Sequence, residues 1–205
     1  MKNLIKSIAF AAAFFLGSSI VQAWAVGQLK VSEDIYYWLQ STDRMNYYVD
    51  RNKIAYAVDK EGQVDFYTLL VPVLKSYDGI QVKDVIERRR WNNVTTEGFE
   101  NLAGEKNLLE INLLEKTVTL KKLTYINFSQ GVIEETEPNL SVEITKLADK
   151  HVERRFFDNV ITFENSNPEL VIKNTKGNKL SEENKKQLLK DRKKAQKTIE
   201  KKYSK

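Results

Sequence analysis

The chain has 205 residues, of which 41% are hydrophobic and 30% charged, and a formal net charge of +5. It contains no cysteine and one histidine. That excludes disulfides, thiolate or multi-histidine zinc sites, a cysteine nucleophile and a lipid-modified N-terminal cysteine. The charge is divided, since residues 173–205 carry 13 Lys and Arg against 4 Asp and Glu, a balance of +9, whereas residues 24–172 balance at −6. An acidic body therefore precedes a basic tail, and the tail is the part suited to anionic partners.

Lys2 and Lys6 precede an apolar run from Ile8 to Leu16, and small residues then lead to Ala23, Trp24 and Ala25. Positive start, apolar middle and small-x-small end predict a secretory signal peptide over residues 1–25, cut after Ala25 or Ala23. The run is shorter than the ~20 apolar residues of a membrane-spanning helix. The product is expected in the periplasm or outside the cell, without a lipid anchor. Residues 26–172 then form one sheet-plus-helix domain, and residues 173–205 a basic helical tail.

Short strands with turn signals follow one another through the body. Residues 35–39 form the first, ended by Ser41, Thr42 and Asp43, and residues 45–49 the second, turning at Asp50, Arg51 and Asn52. Ile54, Tyr56 and Val58 alternate with Ala55 and Ala57, the period of a third strand. Asp59, Lys60, Glu61 and Gly62 make a tight turn, with Gly62 supplying positive φ. A long strand over residues 64–74 is predicted to place Val64, Phe66, Leu70 and Leu74 on one face. Pro72, which lacks an N–H, predicts an edge or bulge there.

Val82, Val85 and Ile86 have helical spacing, so residues 80–89 are read as a short helix and residues 92–106 as a long loop. Strands resume at Leu109, Ile111 and Leu113, turn at Leu114, Glu115 and Lys116, and return through Val118, Leu120, Thr124 and Ile126. Ser129, Gln130 and Gly131 turn into Val132 and Ile133. Hairpin-linked strands in this order predict an antiparallel meander.

Ala148, Val152, Phe156 and Val160 recur every four residues, an amphipathic helix over residues 146–163 suited to covering a sheet. Asn165, Ser166, Asn167 and Pro168 end it, and Leu170, Val171 and Ile172 are read as a last strand. Ser181 caps a second helix reaching Tyr203, with Glu182 and Glu183 at its start and lysines crowding its end. The expected class is α+β: an antiparallel β-meander sheet with one packing helix and a basic C-terminal helix.

Tyr47-Tyr48-Val49-Asp50, followed by Ile54, resembles the opening hairpin of the bacterial surface-adhesin protein E-like domains. The stretch from Leu109-Glu110-Ile111-Asn112 through Lys116-Thr117-Val118-Thr119-Leu120, then Thr124-Tyr125 and Gly131-Val132-Ile133, is similar to their second half. The resemblance covers about residues 34–135. It implies a small antiparallel sheet with a packed helix in a surface-exposed protein that binds host or matrix partners, and it transfers no ligand residues. Residues 92–106, the basic tail and the lack of cysteine fall outside that pattern.

His151 has Asp149 and Glu153 nearby, neither at helical contact spacing, so a structural or surface role is expected rather than a base or metal ligand. Glu134, Glu135 and Glu137, and likewise Asp59, Glu61 and Asp65, cluster at solvated turns, and no nucleophile elbow or phosphate loop is present. Neither catalytic residues nor a cofactor is predicted. Arg88, Arg89, Arg90 and Trp91 form the sharpest local feature of the body. They can grip an anionic polymer while the indole stacks on a sugar. Equally, two of the arginines can pair with the acidic body while Trp91 anchors the loop.

In the tail, Lys190, Lys193, Lys194 and Lys197 are the interaction candidates, toward an anionic cell-surface or matrix polymer or, peripherally, a membrane. Nucleic acid is not expected for an exported chain without aromatics between the lysines. The expected function is an exported, non-catalytic interaction protein of the bacterial envelope or exterior, adhesin-E-like. The alternatives are an envelope carrier of small molecules or lipids and a carboxylate-based secreted hydrolase.

Overall fold

Alternating apolar residues in the body build a single antiparallel sheet. A computed structural model describes residues 29–176 and 181–203; the leader-like residues 1–25 lie outside the described residues. The strands are β1 (Tyr36–Ser41), β2 (Met45–Asp50), β3 (Ala55–Val58), β4 (Val64–Tyr77), β5 (Leu102–Asn112), β6 (Thr117–Asn127), β7 (Val132–Thr136) and β8 (Leu140–Glu143). Their order is β1-β2-β4-β5-β6-β7, with β3 also beside β4 and β8 also beside β6.

Three long strands therefore form the centre, and each outer side is shared by two short ones. β2 pairs with residues 73–77 of β4 and β3 with residues 64–70. β7 takes residues 123–126 of β6 and β8 takes residues 117–120.

Pro72 lies inside β4, opposite Leu108 of β5 and at the gap between β2 and β3. Leu113 N donates to Tyr67 O across the β4–β5 pair, so odd residues of β4 bond toward β5 and even ones, Pro72 included, toward the gap. No ladder bond is lost. The expected shared face of Val64, Phe66, Leu70 and Leu74 is corrected. The pairing of β3 with β4 slips between Tyr56 and Ala57. Beyond that slip Leu69, Val71 and Val73 join Phe66 in the main core, while Leu74 joins a smaller cluster with Leu29, Ala103 and Ile126.

The helices are α1 (Gly79–Trp91), α2 (Val152–Ser166), α3 (Pro168–Lys176) and α4 (Glu182–Tyr203). The α+β class holds, but three helices, not one, pack on the core. Phe156, Phe157, Val160 and Phe163 of α2, Val171 and Ile172 of α3, and Ala195 of α4 bury against Leu69, Val71, Val73 and Ile111. Two further readings are corrected. Residues 170–172 are helical, because Pro168 stands at the first helical position, where its missing N–H costs nothing, and Asn167 O accepts from Val171 N. The expected loop over residues 92–106 gives way to a 3-10 turn (Phe99–Asn101) and to β5, which starts at Leu102.

Candidate functional site

The first candidate lies at the C-terminal end of α1. Asp78 caps this helix by accepting from Gln81 N at 2.7 Å, and its last turn holds Arg88, Arg89 and Arg90, where cations complement the helix dipole. The three arginines separate. Arg89 turns inward and grips Glu134 with two hydrogen bonds of 2.9 and 2.5 Å, donates to Thr95 O at 2.7 Å, and lies 4.0 Å above the Phe99 ring. Arg88 and Arg90 are exposed, and Trp91 is 88% exposed. One arginine is thus structural, two are available, and the indole anchors nothing.

The second candidate is α4, which lies against the body. Arg192 reaches Glu164 from Nε at 2.6 Å and from Nη2 at 2.9 Å, and Tyr56 donates its hydroxyl to the same carboxylate. Lys185 pairs with Glu169 at 2.6 Å and Lys202 with Glu115 at 2.9 Å, and the Tyr203 hydroxyl donates to Leu114 O at 2.7 Å. A cavity of about 380 Å³ beside Arg192 belongs to this seam. Held at three points, α4 turns Lys190, Lys193, Lys194 and Lys197 outward, all exposed. Lys194 bonds Asp191 at 3.2 Å within the helix. Lys186 and Lys201, also exposed, extend the row, since positions 186, 190, 193, 197 and 201 share one helical face over ~22 Å.

These two candidates do not meet. Arg89 holds Glu134, which lies on the cross-strand row of Glu105, whereas Tyr203 and Lys202 hold the β5–β6 turn at Leu114 and Glu115. Nine residues of β5 and its turn separate the two levels, ~30 Å of extended chain.

A third feature was not visible in the sequence, because it arises from strand register. Tyr47, Lys75, Glu105, Tyr125 and Glu134 are successive cross-strand partners on β2, β4, β5, β6 and β7. Lys75 Nζ lies 2.7 Å from Glu105 Oε1, to which Asn107 Nδ2 also donates at 2.8 Å, and Tyr77 donates its hydroxyl to Glu105 Oε2. Burial would raise the pKa of Glu105, but the Lys75 charge and these hydrogen bonds hold it below the ordinary carboxylate value. Burial likewise opposes the charge on Lys75, and Glu105 outweighs it and raises its pKa.

Burial, first among the causes, also raises the pKa of Tyr36, Tyr47, Tyr56, Tyr77 and Tyr125. A phenol whose pKa is higher folded than unfolded stabilises the fold fully below its unfolded value of about 10 and loses that contribution as pH rises through the folded value. Stability in urea is therefore expected to fall once pH passes about 10. At the same time these five of the nine tyrosines should gain tyrosinate absorbance at higher pH in the folded chain than in the urea-unfolded one. Ionisation of these five at the same pH in the folded and the unfolded chain would contradict this.

His151 is exposed at the start of α2, with Nδ1 2.5 Å from Glu153 Oε2. Glu135 pairs with Lys122 at 2.8 Å, while Asp59 accepts Gln63 N in its turn and Asp65, in β4, accepts Tyr67 N. Among the described residues no group of three His, Cys, Asp or Glu side chains is placed to hold a metal ion, and no helix is long and apolar enough to cross a membrane. No protein-family model, curated protein or solved structure matches the chain.

Proposed function

We propose that this protein is a non-catalytic attachment protein of the bacterial envelope or exterior, in which the sheet is scaffold and the outer face of α4 contacts an anionic cell-surface or matrix polymer. The observation that carries this reading is the single-sign row of lysines on a helix fixed to the body. Like charges at i,i+4 destabilise an isolated helix, so a helix that is only a solvated support gains from mixing the two signs. Here the opposing face supplies the anchoring, and the lysines stay exposed at regular spacing. The leader-like composition of residues 1–25 supports export. The surface role is also the one that the resemblance to surface-adhesin protein E-like domains implies.

The test is retention of the full mature chain on immobilised dextran sulfate and on polygalacturonate, with anionic vesicles as a third arm. Changing Lys190, Lys193, Lys194 and Lys197 to alanine is expected to weaken polymer binding roughly tenfold or more and to flatten its salt dependence. Changing Arg88 and Arg90 to alanine should have a smaller effect, because those residues lie at the other end of the sheet. Wild-type elution by the fourfold lysine variant would defeat the proposal. Binding to vesicles alone would replace the polymer with a membrane surface.

A further inference from the structure

From the polar row toward the β5–β6 turn, the helix-covered face of the sheet becomes apolar within two registers. Val73 and Asn107 are partners in the next row; then come Val71, Leu109, Leu120 and Leu140, and after them Leu69, Ile111, Val118 and Val142. β8 extends this floor beyond the reach of α2, and its apolar residues are uncovered: Leu140 is 64% and Val142 39% exposed. Together with Phe156 and the start of α2 they enclose an open groove of about 250 Å³, whose polar end is formed by Lys75 and Asn107.

The polar end has one unmet requirement. Asn107 is 5% exposed, and its Oδ1 accepts no hydrogen bond. The amide cannot turn over without loss, because its Nδ2 donates to Glu105 and reversal would set oxygen against carboxylate. A buried acceptor without a donor is destabilising, and a donor brought by a ligand relieves it. The charges already present select the kind of head. Lys75 is neutralised by Glu105, and the other charged residue lining the groove is Glu153, so a ligand carboxylate meets excess negative charge and brings no donor, whereas a hydroxyl, amide or ammonium head brings one.

We propose that this groove binds a single-chain amphiphile of medium length with a hydrogen-bond-donating, non-anionic head, the chain lying over Leu109, Leu120 and Leu140 and the head donating to Asn107 Oδ1. This site is independent of the lysine row on α4, and either can fail without the other.

The experiment uses the mature protein and displacement of the fluorescent probe N-phenyl-1-naphthylamine by 1-decanol, decanoate and decylamine. Saturable binding is expected, with decanol and decylamine each about tenfold tighter than decanoate. The Asn107→Leu variant should lose that preference while still binding decanoate. Leu140→Asp combined with Val142→Asp, on an exposed strand where folding tolerates the change, should weaken all three ligands about tenfold or more. If Asn107→Leu does not fold, the order of head groups and the β8 variant decide. No saturable binding by wild type, decanoate equal to or tighter than decanol, or β8 variants that bind as wild type would each overturn the proposal.

Discussion

Replacing Arg192 with alanine is expected to cost about 3–5 kcal/mol of stability, the usual loss when one partner of a buried ion pair is removed. Arg192 is 8% exposed and Glu164 4% exposed. Besides its two bonds to Glu164, Arg192 donates to Asn165 Oδ1 at 2.5 Å and to Gln196 Oε1 at 3.1 Å. The alanine variant leaves a buried carboxylate with the Tyr56 hydroxyl as its remaining partner at that point. The anchoring of α4 goes with it, so Leu188, Leu189 and Ile199, which pack against the core, become accessible.

Urea unfolding should therefore show a lower midpoint, and limited proteolysis should cut within α4 before it cuts the sheet. Arg192→Lys should recover only part of the loss, since an ammonium cannot make the two-pronged contact. Arg192→Met with Glu164→Leu should recover most of it, because removing both charges leaves no unpaired ion. An Arg192→Ala protein within about 0.5 kcal/mol of wild type would show that α4 is held without the Arg192–Glu164 pair.

Arg192 also marks a limit of reading charge from sequence. Counted with its neighbours it is one of 13 positive residues in a basic tail. Its position says otherwise: Leu188, Arg192, Ala195, Ile199 and Tyr203 fall at intervals of four, three, four and four, a packing stripe with a cation inside it. The lysines at 190, 193 and 197 lie on the other side of the same helix. Helical phase separates the anchor from the exposed row; composition merges them.

The strands were legible for a related reason. Ile54, Tyr56 and Val58, and Leu109 and Ile111, declare their period of two locally. What local patterns do not contain is register across the sheet. Lys75, Glu105, Tyr125 and Glu134 are far apart in the chain and become neighbours only through pairing. Beside them a bulge in β6 slips the register between Leu109 and Leu108, so that Leu120 and Leu123 take the same face. Neither the groove nor the unpaired Asn107 oxygen could be inferred without those pairings. The helix at Pro168–Lys176 was, in contrast, readable: Asn167, Pro168 and Glu169 form a helix start, which the preceding helix end obscured.

The loop expected over residues 92–106 failed at a glycine, and that glycine is predicted to be among the least replaceable residues. Gly104 falls within that expected loop, yet it lies in β5 between Ser76 and Ile126. A β-carbon there would stand 2.1 Å from Lys75 O and 3.3 Å from Ser76 Cα. Both are backbone atoms of the central strand, which no rotamer change can move. Its φ lies outside the left-handed region, so the requirement is space, not backbone conformation; glycine in a strand marks close approach of another chain segment.

Gly104→Ala is accordingly expected to cost about 2–4 kcal/mol, measured as a shift in urea midpoint. Gly62→Ala is the matched control: Gly62 has φ +78 but nothing within 4 Å of the added carbon, so it should lose only about 1 kcal/mol through turn strain. Because the displaced carbonyl belongs to Lys75, Gly104→Ala should also disturb the Lys75–Glu105 pair. The same variant is therefore expected to lose the head-group preference of the groove, whereas Gly62→Ala keeps it. Equal stability of the two alanine variants would show that β4 and β5 can part at Gly104 without loss, and that the polar row does not depend on their close approach.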